Sequence, residues 1–141
     1  TLAISSANAR GIVQVLPVTG HLIARRRQDH TFTAEDLLDP TVGLPYGTWY
    51  MKQLLIKFHG QEPLAIAAYN AGPHRMAQWL RHRGKSSPLD VFIEEIPFRQ
   101  ARRYVKRVLS IIALYRWVYE DQPVMYIGQK IRADYQNNIN W

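Results

Sequence analysis

The sequence contains no cysteine, which excludes a disulfide framework and any metal site built from thiolates. No apolar run approaches the roughly 20 residues that a membrane-spanning helix requires. A secretory signal peptide is not visible in the chain. These absences leave the compartment open, because many exported bacterial proteins also lack cysteine.

The signatures of several enzyme classes are missing as well. No two histidines have the tight spacing of a helical zinc site, so we predict no metal; the five are His21, His30, His59, His74 and His82. Neither a nucleophile elbow nor a phosphate-binding loop is present. We therefore predict no cofactor.

The charge balance is strongly basic. Lysine and arginine number 18 against 11 aspartate and glutamate residues, which gives a net charge of +7. Such a balance favours anionic partners, namely nucleic acid, a membrane surface or an acidic cell-wall polymer. Because the arginines are spread over several predicted helices, ordinary solvated helix faces explain them at least as well as a binding surface does.

Apolar residues recur with helical spacing, and the alternation typical of strands is scarce. Helices are predicted over residues 9–16, 18–27, 46–58, 63–71, 75–81 and 97–120. A turn at Ser5–Asn8 precedes the first, Thr33–Asp36 resembles a capped helical turn, and Asp39–Pro40 is interpreted as a stop. We predict an all-α single domain over residues 1–141, with several short helices and one long C-terminal helix.

The long C-terminal helix combines an apolar stripe with a basic first half. The predicted stripe consists of Tyr104, Val108, Ile111, Ile112, Tyr115 and Val118. The basic residues are Arg99, Arg102, Arg103, Lys106 and Arg107. We expect the stripe to face the core.

Three segments of the sequence contain motifs that can be compared with those of known protein families. They are SSANARGIVQVLP at 5–17, AAYNAGP at 67–73, and FIEEIPFR at 92–99, which continues to YVKRVL at 104–109. In this order they strongly resemble the soluble lytic murein transglycosylases, whose catalytic domain is similar to goose-type lysozyme. The resemblance extends from Thr1 to about Trp117.

The resemblance implies a lysozyme-like fold with a glycan-binding groove and a peptidoglycan-cleaving activity. In the family, one glutamic acid protonates the bond between N-acetylmuramic acid and N-acetylglucosamine. The acetamido group and 6-hydroxyl of the sugar complete the reaction and give a 1,6-anhydro product, unlike the usual two-carboxylate glycosidases. Such an acid needs an apolar site that raises its pKa, so that it stays protonated at neutral pH.

The same resemblance implies the setting of the protein. The expected partners are the glycan strands of peptidoglycan, and no nucleic acid is expected. We expect an exported, periplasmic protein of the bacterial cell envelope that acts as a monomer, with peripheral association with the envelope as an open alternative.

The first segment supplies three candidate substrate-binding residues by resemblance. Ser5 faces the substrate, Gln14 contacts sugar in the groove, and Leu16 packs beside the acid. Ser5 is interpreted equally well as a turn or cap residue. Gln14 has the alternative of an exposed helix residue.

The second and third segments supply four more candidates by resemblance. Tyr69 hydrogen-bonds the acid or the acetamido group, Asn70 holds the loop or binds sugar, and Tyr104 is a second aromatic hydroxyl. Gln100 stands where relatives commonly have an acidic groove residue. The alternatives are core packing for both tyrosines and a left-handed helix C-terminus at Asn70.

The catalytic glutamate itself has no counterpart in this sequence. In the family it belongs to a Glu-Ser pair a few residues before the position of Thr1, so we expect it upstream of this chain. None of the eleven acidic residues stands in that context. Glu94 and Glu95 are the paired carboxylates near a motif, but they precede a helix start, where negative charge is favourable in any case.

Two other functions stay open at this point. A non-catalytic peptidoglycan-binding domain keeps the groove without the acid, and the change to Gln100 favours it slightly. A nucleic-acid binder accounts for the positive charge, but neither a recognition helix nor an aromatic sheet platform is evident. Lytic transglycosylase activity of the parent protein is the function that the residues favour most.

Overall fold

Helices dominate the computed structural model, which describes residues 2–83, 87–121 and 130–132. They are α1 (Pro17–Arg27), a 3-10 helix (Ala34–Leu38), α2 (Pro40–Lys57), α3 (Glu62–Ala71), α4 (Pro73–Arg83), α5 (Leu89–Glu94) and α6 (Arg99–Tyr119). In these described ranges, extended structure is limited to isolated bridges. The predicted all-α class is confirmed. No described helix is long and apolar enough to cross a membrane.

The contacts of the chain divide it into two compact units. The N-terminal unit is Thr1–Gln53 and the C-terminal unit is Leu54–Trp141. The extent of a single domain over 1–141 stays a prediction. Each unit contains some of the predicted site residues.

The first segment of the N-terminal unit is a double-bend loop (residues 4–15), so the predicted helix at 9–16 is wrong. Arg10 bridges Ile4 on one side and Val15 on the other, and its N–H donates to the Val15 carbonyl at 2.9 Å. Gly11 and Gln14 have φ values of 73° and 52°, which a right-handed helix cannot contain. The loop is held together by turns rather than by a helical hydrogen-bond ladder.

Two contacts hold the double-bend loop against the 3-10 helix. The Arg10 guanidinium contacts the Glu35 carboxylate at 2.7 Å. A Cβ added to Gly11 would lie 1.9 Å from the carbonyl oxygen of Leu37, whose side chain is buried. The absence of a side chain at Gly11 therefore lets the loop backbone lie directly against the 3-10 helix.

Asp39–Pro40 ends the 3-10 helix, which confirms the predicted stop, and it also begins α2, which was not predicted from the sequence. The Asp39 carboxylate accepts hydrogen bonds from the N–H and the hydroxyl of Thr41, both at 2.8 Å. Pro40 is the first residue of the helix, where a missing N–H costs no hydrogen bond. Asp followed by Pro thus supplies a cap and a preset backbone, and α2 begins six residues before the predicted Tyr46.

A hydrogen-bonded pair links the end of α1 to α2 in the N-terminal unit. The buried Tyr46 hydroxyl donates to Oδ2 of Asp29 at 2.6 Å, and Thr31 donates to Oδ1 at 2.9 Å from its hydroxyl. These bonds hold the pKa of Asp29 below its usual value, with the Tyr46 bond as the largest cause. Burial, followed by the same bond, raises the pKa of Tyr46.

Because the pKa of Asp29 is lowered on folding, its stabilising effect is present above about pH 4, the ordinary carboxyl range. That effect is lost as the pH falls through the lowered pKa. We expect the free energy of unfolding to fall on acidification, and Tyr46→Phe to flatten the Asp29 part of that slope. Urea unfolding of both proteins between about pH 6 and about pH 2 measures this. Identical slopes would contradict the role of Tyr46.

The C-terminal unit is built around α3, which contacts both α4 and α6. Residues 63–68 of α3 are all buried, and alanines at 65, 67 and 68 permit close approach of the neighbouring helices. The Glu62 carboxylate forms an ion pair with the guanidinium of Arg116 on α6. The buried Gln61 side chain donates to the carbonyl oxygen of Lys130 at 3.0 Å.

The side of the long helix α6 that packs against the core is not the apolar stripe predicted from the sequence. Its buried residues are Ala101, Val105 and Leu109. The predicted stripe residues Ile111, Tyr115 and Val118 are exposed, so that part of the prediction is wrong; Tyr104, Val108 and Ile112 are half-buried. The apolar residues of α6 extend around more of the helix than the core covers, so periodicity alone could not select the buried face.

Candidate active site

Ser5 opens the double-bend loop and is bound to that loop's own backbone. Its Oγ accepts a hydrogen bond from the Ala9 N–H at 3.0 Å, and its N–H donates to the Ala9 carbonyl at 2.9 Å. The side chain is half-buried. The turn interpretation of Ser5 is thereby confirmed, and its contact with substrate stays a prediction.

Gln14 closes the same loop with its side-chain amide. Nε2 donates to the carbonyl oxygens of Gly11 at 2.8 Å and Ala3 at 3.3 Å, which also fixes which amide atom is nitrogen. The amide oxygen has no partner among the described residues and the side chain is exposed. The alternative of an exposed helix residue is wrong, because Gln14 lies in a turn with positive φ. Its contact with sugar stays a prediction.

Leu16 links the loop to α1. Its backbone is extended, and its carbonyl accepts the N–H of Gly20 at 2.8 Å, the first hydrogen bond of the helix. The side chain is 39% exposed, a large apolar group at the surface of the N-terminal unit. Its packing beside a catalytic acid stays a prediction.

Tyr69 and Asn70 lie in the last turn of α3, in the C-terminal unit. The helix ends because Gly72 adopts φ 90°, a conformation that glycine reaches without strain. Asn70 itself is helical, so the alternative of a left-handed asparagine is wrong. Its side chain is exposed and Tyr69 is half-buried, which leaves both accessible from one end of α3.

Tyr104 and Gln100 lie on α6, the helix that contacts α3. They are four residues apart and therefore neighbours on one face of the helix. Gln100 is exposed and Tyr104 half-buried, and burial raises the pKa of the Tyr104 hydroxyl. A tyrosine hydroxyl is protonated at neutral pH even at its ordinary pKa of about 10, so Tyr104 can donate a hydrogen bond.

The candidate residues thus form two groups of neutral polar side chains. The N-terminal group contains Ser5 and Gln14 beside the apolar Leu16, all within the stretch from the double-bend loop to its junction with α1. The C-terminal group lies on the contacting helices α3 and α6. Hydroxyls, amides and partly exposed aromatic rings are suited to bind uncharged, hydroxyl-rich ligands such as sugars.

The described carboxylates do not have the environment of a general acid. Glu94 and Glu95 are both exposed, and Glu94 contacts the Lys106 amine at 2.5 Å. The pKa of Glu35 is lowered, chiefly by its hydrogen bond from Arg10. A catalytic acid needs the opposite shift, which burial in an apolar site produces. Within the described ranges, no group of His, Asp or Glu could hold a metal ion.

Sequence reasoning missed two residues that shape the N-terminal group. Arg10 holds the double-bend loop to Glu35, and Gly11 allows the loop to approach Leu37. A glycine inside a predicted helix was the available signal, since glycine is unfavourable there and usually marks a special backbone position.

The chain is similar to known proteins in both sequence and structure. A family model described as the transglycosylase SLT domain matches residues 1–92. A Haemophilus influenzae protein assigned to the soluble lytic murein transglycosylases is 37% identical over 135 residues, covering 95% of this chain and 23% of that protein. The X-ray structure of an inactive mutant of the lytic transglycosylase Slt from Pseudomonas aeruginosa superposes with a TM-score of 0.80 at 35% identity.

That superposition covers 92% of this chain and 21% of the Pseudomonas chain. A complex of the 70-kDa soluble lytic transglycosylase with bulgecin A gives the same coverage, with a TM-score of 0.80 at 31% identity. This chain therefore spans between a fifth and a quarter of the length of these relatives. The predicted lysozyme-like, all-α fold is confirmed, and the chain belongs to the transglycosylase SLT domain family.

Proposed function

We propose that this chain forms most of a catalytic domain that cleaves peptidoglycan as a lytic transglycosylase. The bond cleaved is the β-1,4 linkage between N-acetylmuramic acid and N-acetylglucosamine, and the product carries a 1,6-anhydro ring. A glutamic acid upstream of Thr1 in the parent protein supplies the proton. The observation that carries the proposal is the match of residues 1–92 to the transglycosylase SLT domain family.

In this reaction the glutamic acid gives its proton to the glycosidic oxygen while the bond to C1 of the muramic acid breaks. The acetamido oxygen stabilises the positive charge at C1, and the 6-hydroxyl oxygen then bonds to C1. The 6-hydroxyl proton returns to the glutamate, so the acid is regenerated and no water is consumed. Tyr69 and Tyr104 orient the acid and the acetamido group through their hydroxyls.

Substrate binding falls to the remaining side chains of the two groups. The Gln14 amide oxygen accepts a hydrogen bond from a sugar N–H or hydroxyl, because its amide nitrogen is already held by the loop backbone. Ser5, Asn70 and Gln100 supply further polar contacts, and Leu16 keeps the acid in apolar surroundings. Such surroundings raise the pKa of a carboxylic acid.

The cellular setting follows from the substrate. Peptidoglycan lies in the bacterial cell envelope, so we place the protein in the periplasm, acting as a monomer on glycan strands. No cofactor, metal or nucleic acid takes part in the proposed reaction.

The first test is mass spectrometry of purified peptidoglycan after incubation with two forms of the protein. One form is the chain as given, and the other continues upstream of Thr1 through the Glu-Ser pair. We expect only the longer form to release 1,6-anhydro-muropeptides, and a Glu→Gln change in that pair to lower the rate by about 1,000-fold or more.

A non-catalytic glycan-binding domain is the second candidate, and the glutamine at position 100 is the observation that favours it. The binding-domain function predicts that neither form releases product and that both sediment with insoluble peptidoglycan. That result would overturn the catalytic proposal. Release of reducing ends without the anhydro ring would instead show hydrolysis and would overturn only the proposed product.

A further inference from the structure

The solvent-facing side of α6 carries a surface that the proposed reaction does not use. This outer face consists of Arg99, Arg103, Arg107, Ile111, Leu114, Trp117 and Val118, all exposed. Leu114 is nine residues from the buried Val105, which at 100° per residue places it on the opposite side of the helix. The outer face is thus directed away from the core row of α6.

The second half of the outer face is apolar to an unusual degree for a solvated helix. Ile111 and Leu114 are each 56% exposed, and Trp117 and Val118 are 60% and 59% exposed. Four large apolar side chains within two helical turns form one continuous patch. Contiguous exposed apolar patches mark interaction surfaces, whereas single exposed apolar residues do not.

The first half of the outer face is cationic and free of local partners. Arg99, Arg103 and Arg107 recur at four-residue steps, and no described carboxylate pairs with them. The neighbouring Lys106 and Arg102 are engaged with Glu94, through its carboxylate and its carbonyl oxygen. Three charges therefore remain available for an anionic partner along a helix about 30 Å long.

The pairing of arginines with aliphatic residues and tryptophan selects the kind of partner. A nucleic acid would neutralise the arginines but leave the Ile111, Leu114 and Val118 side chains in water. A bilayer surface satisfies both halves, because phosphates meet the arginines while apolar side chains enter the boundary of the acyl chains. Tryptophan is enriched at that same depth.

We infer that the outer face of α6 binds the surface of an anionic lipid bilayer. The binding is peripheral: the helix lies on the membrane plane with Leu114, Trp117 and Val118 inserted and the arginines at headgroup level. This function is independent of glycan cleavage, and it would hold the protein at the membrane surface.

The test is co-sedimentation of the chain with vesicles of phosphatidylcholine, with and without about 30 mol% phosphatidylglycerol. We expect binding to the anionic vesicles only, weakened about tenfold or more by R103E/R107E and similarly by L114S/V118S. R25E/R26E on α1 is the matched control for the charge change, and V18S removes a single exposed apolar side chain of α1. Each control should stay within about twofold of the parent chain.

Three outcomes would overturn the inference: no binding to anionic vesicles, equal losses in the α1 controls, or loss with R103E/R107E but not with L114S/V118S. The last would indicate an anionic partner that no apolar side chain enters. Circular dichroism checks that each variant is folded. As a second readout, a blue shift of tryptophan emission on vesicle binding should largely disappear in W117F.

Discussion

Replacement of Gly11 by alanine is expected to unfold the N-terminal unit or to detach its double-bend loop. The new Cβ would lie 1.9 Å from the Leu37 carbonyl oxygen, and φ at this position is 73°. A left-handed backbone costs an alanine about 1–2 kcal/mol, and the clash with a backbone atom can be relieved only by moving the loop. We expect a total loss of about 4 kcal/mol or more, measured by urea unfolding.

Gly60→Ala is the matched control for the Gly11 experiment. Gly60 has φ 76°, nearly that of Gly11, but a Cβ added there has no neighbour within 4 Å. It should therefore cost only the backbone strain, about 1–2 kcal/mol. Similar losses in the two variants would show that the approach to Leu37 does not limit the loop. Under the proposed function, Gly11→Ala should also weaken glycan binding, because Gln14 is held by the Gly11 carbonyl.

Removing the Tyr69 hydroxyl should have a large effect on the rate of cleavage. In the longer form with the proposed Glu-Ser pair, we expect Tyr69→Phe to lower kcat about 10- to 100-fold. The reason is that the proposed hydrogen bond to the acid or the acetamido group is most valuable while charge develops at C1. The rate of release of 1,6-anhydro-muropeptides from purified peptidoglycan measures the effect.

Stability distinguishes this role of Tyr69 from core packing. The side chain is half-buried, so loss of its hydroxyl should lower the free energy of unfolding by only about 1 kcal/mol. Tyr115→Phe, at an exposed position of α6, is the control and should leave kcat unchanged. An unchanged kcat in Tyr69→Phe would remove Tyr69 from the proposed mechanism. A fall in kcat that follows a fall in melting temperature would indicate a structural role instead.

Local signals in the sequence determined most of the helices. The predicted helix at 63–71 is confirmed as Glu62–Ala71, and the prediction at 75–81 lies within Pro73–Arg83. Proline in the first turn and glycine after the last turn act through bonds within a few residues, so they need no knowledge of the fold. The all-α class followed from the same short-range information, whereas the family followed from the resemblance of three segments to the soluble lytic murein transglycosylases.

Tertiary structure decided which backbone conformation some residues adopt and which helix faces are buried. Gly11 takes its left-handed conformation where the loop lies against Leu37, a residue 26 positions away. Val105, rather than Ile111 or Val118, faces the core of α6 because α3 covers only one side of a helix that is apolar around much of its circumference. The side chain at Gln14 is oriented by carbonyl oxygens of a turn that periodicity had assigned to a helix. The contact of Gly11 with Leu37 and the packing of α3 on α6 join residues distant in sequence, so the local pattern could mark these positions as unusual but could not specify the contacts.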